Sequence, residues 1–484
     1  MKRVLFSCGN APGLPTGYGG QGMLALRAFL NANMHVTVLA WNLSPMQFTP
    51  FQEYTTEDVV RMNPQMAQIV KHDVNWASVR WMCNPYAQFP SPILKKDLNR
   101  MIVDTSSDFF VALQDIFMFE PGPFTCLSAV WMPLHFTPVE HPTVMSLADF
   151  DIQLPISGWG ATLLSTLQDA KSTRHVEVVA HGRDTSVFCP GPSSRKDLGW
   201  PEDAFVCLMV ASNSEESGRK AFDAQIQAFA HFLKANDKAW LHIHAEIVRA
   251  YDIPRLLEIF GLLDRSPFID WNDHRKRSRP DAIVLGPRVS MSPPTSLNKT
   301  SDENMANMYR AANVLLAATC SEGCGVPVLE AQLCGTPVVT TRTTAMWEET
   351  MLGASVPSQQ WIARNDFNSG WWLPDSKGVA DAILQISKWT AEEKAALVEK
   401  HMPRLKKEFS NEAILAQWAA VLEKCKTPET ILSKERLALL RVSKLLRTSA
   451  ILNKTWSEEL NASLSHLASM QNQKTILDYT RELV

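Results

Sequence analysis

Short apolar runs of strand length recur along this chain, each separated from the next by a connection long enough for a helix. In the first part they are Val4–Cys8, Val36–Ala40, Phe109–Leu113, Ala129–Met132 and Ile152–Ile156; in the second, Phe205–Ala211, Trp240–His244, Ala282–Leu285 and Val314–Ala317. Apolar continuity, rather than alternation, is what a strand buried on both faces requires, and such strands occur in parallel sheets covered by helices. The pattern predicts an α/β chain built on doubly wound sheets. A length of 484 residues exceeds what one core holds, so two large α/β domains or three smaller ones are expected. Gly191-Pro192-Ser193-Ser194 has linker composition. The boundary is therefore placed at 192/193, giving an N-terminal domain over 1–192, a second over 193–425 and an extension over 426–484.

A net charge of −3 argues against a protein dominated by contacts to nucleic-acid backbone. The short basic run His274-Arg275-Lys276-Arg277 reads as a solvated loop. Nine cysteines without metal-ligand spacing point to a reducing compartment and no disulfide framework. The N-terminus passes from two basic residues straight into a strand, and no apolar run approaches membrane-spanning length, so a cytoplasmic protein is expected.

Ala317–Thr341 is the stretch richest in chemistry. Glu322 and Glu330 stand eight positions apart across a Gly-Cys-Gly turn, and Pro327 suits the first turn of a helix that carries Glu330. Backbone N–H groups of Cys324, Gly325 and Val326 at that helix start offer a site for hydroxyls or anions, with a carboxylate on either side. A polyhydroxylated, phosphate-bearing ligand would suit it.

Other residues cluster at expected strand ends, where open α/β sheets bind ligands. The loop Gly9–Gly22 is rich in glycine, and Gly19 and Gly20 would permit close approach of a ligand to the backbone, although a plain mobile loop gives the same sequence. Arg219 and Lys220 stand at the start of a helix, where the dipole favours anions. They make sense there if they share an anion with the helix end, although a solvated cation pair gives the same sequence. His135 follows a strand and would orient a hydroxyl or move a proton, or else serve as a structural histidine. Val289 lies in the loop after the Ala282–Leu285 strand and is expected to border the ligand. Trp41–Asp104 yields only an insertion or a mixed segment.

Taken in series, these motifs resemble a known family. SEGCGVPVLEA followed by Gly335-Thr336-Pro337-Val338-Val339 resembles the retaining GT-B glycosyltransferases of family four, whose mark is E-x7-E. APGLPTGYGGQG is similar to that family's first-strand loop, HGRDTSVFCP to the segment closing its N-terminal domain, and SGRKAFDAQIQAFA to its phosphate-binding helix. The resemblance spans residues 1 to roughly 425 and departs at Cys324, usually aromatic, at Phe136, and at Ala221, where glycine is usual.

It implies a GT-B fold: two Rossmann-like domains facing across a cleft, the N-terminal one on the acceptor side and the second binding a nucleotide sugar. It implies a retaining transferase in which Glu330 holds ribose hydroxyls, Glu322 the donor sugar, and Arg219 and Lys220 the diphosphate, with His135 bordering the sugar and Gly19 and Gly20 approaching from the opposite domain. No cofactor and no metal are expected, the cations stabilising the leaving phosphate. The partners implied are a nucleotide sugar and a glycan, lipid or other hydroxyl acceptor. A nucleotide-sugar epimerase or hydrolase on the same fold, and an idle GT-B scaffold subunit, remain as alternatives. Beyond Cys425 the resemblance stops. Leucines at helical spacing interleave with Arg436, Arg441, Lys444 and Arg447, and a second helix follows Thr455, which suggests a hairpin docking on the body or a partner, or else a membrane-surface helix.

Overall fold

The computed structural model describes residues 2–444 apart from short stretches, the longest being 85–92, 140–146, 168–174, 264–282 and 293–300. The basic run at 274–277 and the second terminal helix lie outside the described residues. The chain forms two compact units. One is Met1–Leu134 with Val139–Gly182 and Ile414–Val484; the other is His135–Pro138 with Arg183–Ala413.

The first unit is built on β1 (Arg3–Cys8), α1 (Gly17–Asn31), β2 (His35–Ala40), β3 (Tyr54–Thr55), α2 (Thr56–Met62), β4 (Val79–Cys83), α3 (Lys95–Asp104), β5 (Phe109–Leu113), β6 (Leu127–Met132), β7 (Ile152–Pro155), α4 (Gly158–Leu167) and β8 (His175–Val176). Its sheet runs β3-β4-β2-β1-β5-β6-β7-β8. Every neighbouring pair is parallel except β3 with β4. Five of the six residues of β1 and all of β5 are buried, as their apolar continuity requires. Trp41–Asp104 is thus no foreign insertion. It continues the winding, with Thr55 and Asp58 forming a reciprocal cap on α2 and β4 pairing with β2.

The second unit contains β9 (Phe205–Val210), α5 (Phe222–Leu233), β10 (Ala239–His244), α6 (Ile253–Ile259), β11 (Ile283–Gly286), β12 (Val289–Ser292), α7 (Asp302–Ala311), β13 (Val314–Ala317), α8 (Val326–Leu333), β14 (Val338–Thr341), α9 (Met346–Glu349), β15 (Gly353–Val356), β16 (Gln360–Arg364), β17 (Ser369–Leu373), α10 (Ser376–Ile386) and α11 (Ala391–Phe409). The sheet order is β11-β12-β10-β9-β13-β14-β15, with β16 and β17 as a separate ribbon. Its core joins Leu241, Ile243, Val289 and Met291 to α5 and α10.

The units divide between Gly182 and Arg183, earlier than the 192/193 boundary read from composition. Backbone pairing explains this: the Arg183 N–H donates to Phe409 O at 2.8 Å, and Asn411 N–H donates to Arg183 O. Chain from Ile414 onward counts with the first unit, because on α12 (Asn411–Lys424) Trp418 packs edge-on against Phe29 and Trp131, each at 5.3 Å. The start of the extension belongs there too. Arg436 is no surface cation: its Nε lies 2.6 Å from Asp151 Oδ1, and it donates to the Phe124 carbonyl. It therefore leaves the basic face read from the sequence. No helix among the described residues is long and apolar enough to cross a membrane.

One face of β10 and β12 is polar and buried. Trp200 Nε1–H donates to His242 Nδ1 at 3.1 Å, so the His242 proton sits on Nε2, which reaches Ser292 Oγ at 2.8 Å; Ser292 Oγ also lies 2.8 Å from His244 Nδ1. Burial pushes His242 down to about 3 and His244 to about 4. In the unfolded chain both bind protons below about 6.5. The stability they contribute is therefore full above that pH and is lost as pH falls toward 4, at about 1.4 kcal/mol per pH unit per histidine. Urea midpoints between pH 7 and 4.5 should drop steeply in the parent chain, and less steeply in His242→Gln/His244→Gln.

Candidate functional site

Three cooperating segments build the site in the second unit. The turn after β13 presents Glu322; the turn before α5 presents Arg219 and Lys220; β14 is followed by a tight bend over 342–345 leading into α9. α5 begins at Phe222, not at the cations, with Ala221 as its N-cap at φ 47°, ψ 47°, the left-handed region. That is where a glycine would be strain-free. The cations are tied to the Glu322 turn from both sides. Cys320 N–H donates to Arg219 O at 2.9 Å, and Arg219 Nη1 donates to Ser321 O at 2.8 Å. Gln225 braces the same turn, its Nε2 on Lys220 O and its Oε1 receiving Ala318 N–H.

Both oxygens of Glu322 are committed. Oε2 lies 2.7 Å from Arg219 Nη1 and Oε1 2.6 Å from Lys220 Nζ, all three side chains largely buried. Burial alone would raise the Glu322 carboxyl, but the two cations and their hydrogen bonds together outweigh it and hold it below the usual carboxylate range. The sequence placed the three residues in one site; their mutual ion pairing was not foreseen.

Glu330 sits inside α8 and is equally buried. Tyr309 OH donates to its Oε2 at 2.7 Å, and Arg183 Nε stands 2.7 Å from Oε1 but off the N–H axis, an ion pair rather than an aligned hydrogen bond. Burial raises the Glu330 carboxyl, with Arg183 opposing, and drives the Tyr309 hydroxyl well above its ordinary value. Neither Arg183 nor Tyr309 was among the residues singled out. The available signal was the cation inside HGRDTSVFCP and the need of any buried carboxylate for a partner.

The amides expected to receive hydroxyls are partly spent. Gly325 N–H donates to Glu349 Oε2 at 3.1 Å, and Val326 N–H to Cys324 O at 3.1 Å. Gly325 has φ −81°, open to any residue; what demands glycine is space, since a Cβ would meet Met346 Sδ at 2.9 Å. Glu349 itself is buried, and that burial pushes its carboxyl up to about 8. The Cys324 thiol beside it is likewise raised by burial.

Val289 is displaced from the expected role. β11 and β12 form an antiparallel hairpin while β12 runs parallel to β10. Val289 therefore opens β12 at the amino end of the parallel strands, fully buried in the core, away from the carboxyl ends that carry Glu322. His135 travels with the second unit. Its neighbour Phe136 stacks on Trp371 at 5.9 Å in a cluster with Ala221 and Cys320, and Trp361 Nε1–H donates to Thr137 O. The His135 ring lies 4.1 Å from that of Phe136, whose cluster includes the residues flanking Lys220 and Ser321. Gly19 and Gly20 belong to the first unit and lie within α1, which starts at Gly17 behind the Thr16 cap and so takes in the last part of the expected loop Gly9–Gly22. A Cβ on Gly19 would meet Leu14 O at 2.2 Å, so that glycine serves the loop's own packing. Among the described residues, no three His, Cys, Asp or Glu side chains converge as a metal would require.

Solved structures share this architecture at low identity. A sucrose-phosphate synthase from Thermosynechococcus elongatus superposes with a TM-score of 0.57 at 15% identity, covering 88% of this chain and 100% of that one. The fold is GT-B. A trehalose-6-phosphate protein from E. coli bound with UDP-2-fluoro glucose (TM-score 0.58, 12% identity) and Anabaena Alr3699/HepE in complex with UDP-glucose (0.56, 13%) each cover 88% of this chain and 99% and 100% of their own. Within this GT-B chain, residues 281–388 match the family model for glycosyl transferases group 1, the span that includes both Glu322 and Glu330. D-inositol 3-phosphate glycosyltransferases are similar in sequence over a limited stretch. The one from Acidothermus cellulolyticus is 30% identical over 172 residues (34% of this chain, 33% of the relative), and the one from Frankia alni 32% over 185 residues (36% and 38%). The chain matches only about one third of the length of these curated relatives.

Proposed function

We propose that this GT-B protein transfers a sugar from a nucleotide-diphosphate donor to an acceptor hydroxyl, with retention at the anomeric carbon and without a metal. The observation that carries the reading is the buried cluster of Glu322, Arg219 and Lys220 at the carboxyl end of β13, eight positions before Glu330 on α8. In this reading Arg219 and Lys220 take the diphosphate and neutralise the charge that develops as it leaves. Glu322 holds donor-sugar hydroxyls, Glu330 the ribose and His135 the border of the sugar. The acceptor hydroxyl attacks the face from which the nucleotide departs, its oxygen bonding to the anomeric carbon as the bond to phosphate breaks, and its proton passes to the departing phosphate oxygen. Donor binding belongs to the second unit, and acceptor recognition is assigned to the first, with its glycine-rich loop.

Similar proteins suggest where to begin: UDP-glucose as donor, and a phosphorylated cyclitol such as D-inositol 3-phosphate as acceptor. A panel of nucleoside diphosphates and their sugars should raise the melting temperature through linkage. The shift should vanish in Glu330→Ala and persist in Lys377→Ala, which alters only an exposed helix face. If no nucleotide in the panel stabilises the parent chain, the donor-site reading falls. Product anomers read by NMR test retention, and full activity in chelator tests independence of metal.

A further inference from the structure

Thr344 lies in the bend between β14 and α9, buried, with φ 47°. A β-branched residue in the left-handed region is strained, and a glycine would relieve that strain at once. What glycine cannot supply is a hydroxyl. Thr344 Oγ1 donates to Glu322 O at 2.8 Å and accepts from Glu322 N–H at 3.1 Å, so one side chain satisfies both main-chain polar atoms of that residue. Both bonds are buried, where an unmet backbone group is costly. The same short segment secures the other end of the turn through Glu349 and Gly325 N–H, and its Thr343 Oγ1 donates to Cys320 O at 3.3 Å.

From this geometry we infer that Thr344 is a positioning residue, a strained brace that fixes the Glu322 main chain so that its carboxylate meets Arg219, Lys220 and the donor sugar in one orientation. The inference rests on the donor-site reading for its catalytic consequence, but not for its structural one. Thr344 touches no substrate itself. It acts by limiting where Glu322 can stand, and such preorganisation is felt most where charge and geometry change during reaction.

Thr344→Gly removes strain and hydroxyl together, Thr344→Val keeps the shape without the hydroxyl, and Thr344→Ser keeps the hydroxyl. In the full chain, Gly and Val should lower kcat for donor turnover roughly tenfold to a hundredfold, as expected for the loss of two buried hydrogen bonds, with KM for the donor little changed. Ser should restore most of it. Hydrogen–deuterium exchange of peptides spanning 319–326 should rise in Gly and Val but not in Ser, whatever the activity. If the parent turns over donor and Thr344→Gly keeps its kcat, or if Ser is as impaired as Gly, the brace is wrong. If the parent has no turnover while exchange responds as described, the brace stands and the donor reading fails.

Discussion

Replacing Arg183 by alanine is expected to destabilise the protein by about 3–5 kcal/mol, the usual cost of removing one partner from a buried ion pair. The side chains of Arg183 and Glu330 are 15% and 8% exposed, so little solvent reaches the carboxylate to replace the guanidinium. Tyr309 alone would remain on Oε2, and one neutral donor does not compensate a buried charge. The deficit should depend on pH. Burial already raises the Glu330 carboxyl above its unfolded value, and losing Arg183, the strongest opposing influence, raises it further. A carboxyl whose folded value lies above its unfolded one contributes fully below the unfolded value and loses that contribution as pH rises through the folded one. Arg183→Ala should therefore fall further behind the parent as pH rises above the ordinary carboxyl range and recover as pH falls back toward it. Arg183→Met/Glu330→Gln, which removes both charges, should regain most of the loss in urea unfolding. A single Arg183→Ala substitution that left the midpoint unchanged at pH 8 would mean the pair is not buried in solution.

Why the sequence disclosed some of this and not the rest follows from where each constraint lies. β5 and β13 were legible to the residue because a parallel strand buried on both faces must be apolar throughout. β4 was not, since Val79–Cys83 carries an exposed Arg80 and follows a stretch of Met, Asn and Trp that hides its period. β12 is hidden behind the expectation of a loop at the end of the Ala282–Leu285 strand; in the structure Ser290 is buried and Ser292 half-buried, and His242 and His244 on the neighbouring strand meet them. The hairpin sense of β11 and β12 then inverted the expected place of Val289. In the site, the spacing of Glu322 and Glu330 marked both carboxylates, because the turn and the helix start are local. Their partners are not local. Arg183, Tyr309 and Thr344 come from separate segments, and nothing in a residue's own neighbourhood says which distant carboxylate or backbone it will meet. The substitution of threonine at a left-handed position has no sequence signature at all until φ is known.

Glu322→Gln should move two measurements in opposite directions. In the absence of ligand, the Glu322 carboxylate occupies both cations that the proposed reading gives to the diphosphate, at 2.7 and 2.6 Å. Anion and carboxylate therefore compete for Arg219 and Lys220, and a nucleotide must first release them. Because those cations hold the carboxyl below its usual range, it stays ionised through neutral pH and the competition persists there. Removing its charge leaves two cations short of a counterion and should tighten binding of a nucleoside diphosphate or inorganic pyrophosphate by roughly five- to a hundredfold, the range of typical coupling energies of about 1–3 kcal/mol. Transfer from the donor should instead fall at least about tenfold, since a neutral amide is a weaker partner for sugar hydroxyls than a carboxylate held in place. The tighter diphosphate would also leave more slowly, adding product inhibition to the defect. Calorimetry at fixed ionic strength separates these effects, and raising the salt should shrink the gain in affinity only partly, as expected for charges shielded from solvent. Were Glu322→Gln to bind pyrophosphate no better than the parent, the carboxylate would not be the anion's rival, and the cations would have to be assigned a structural part.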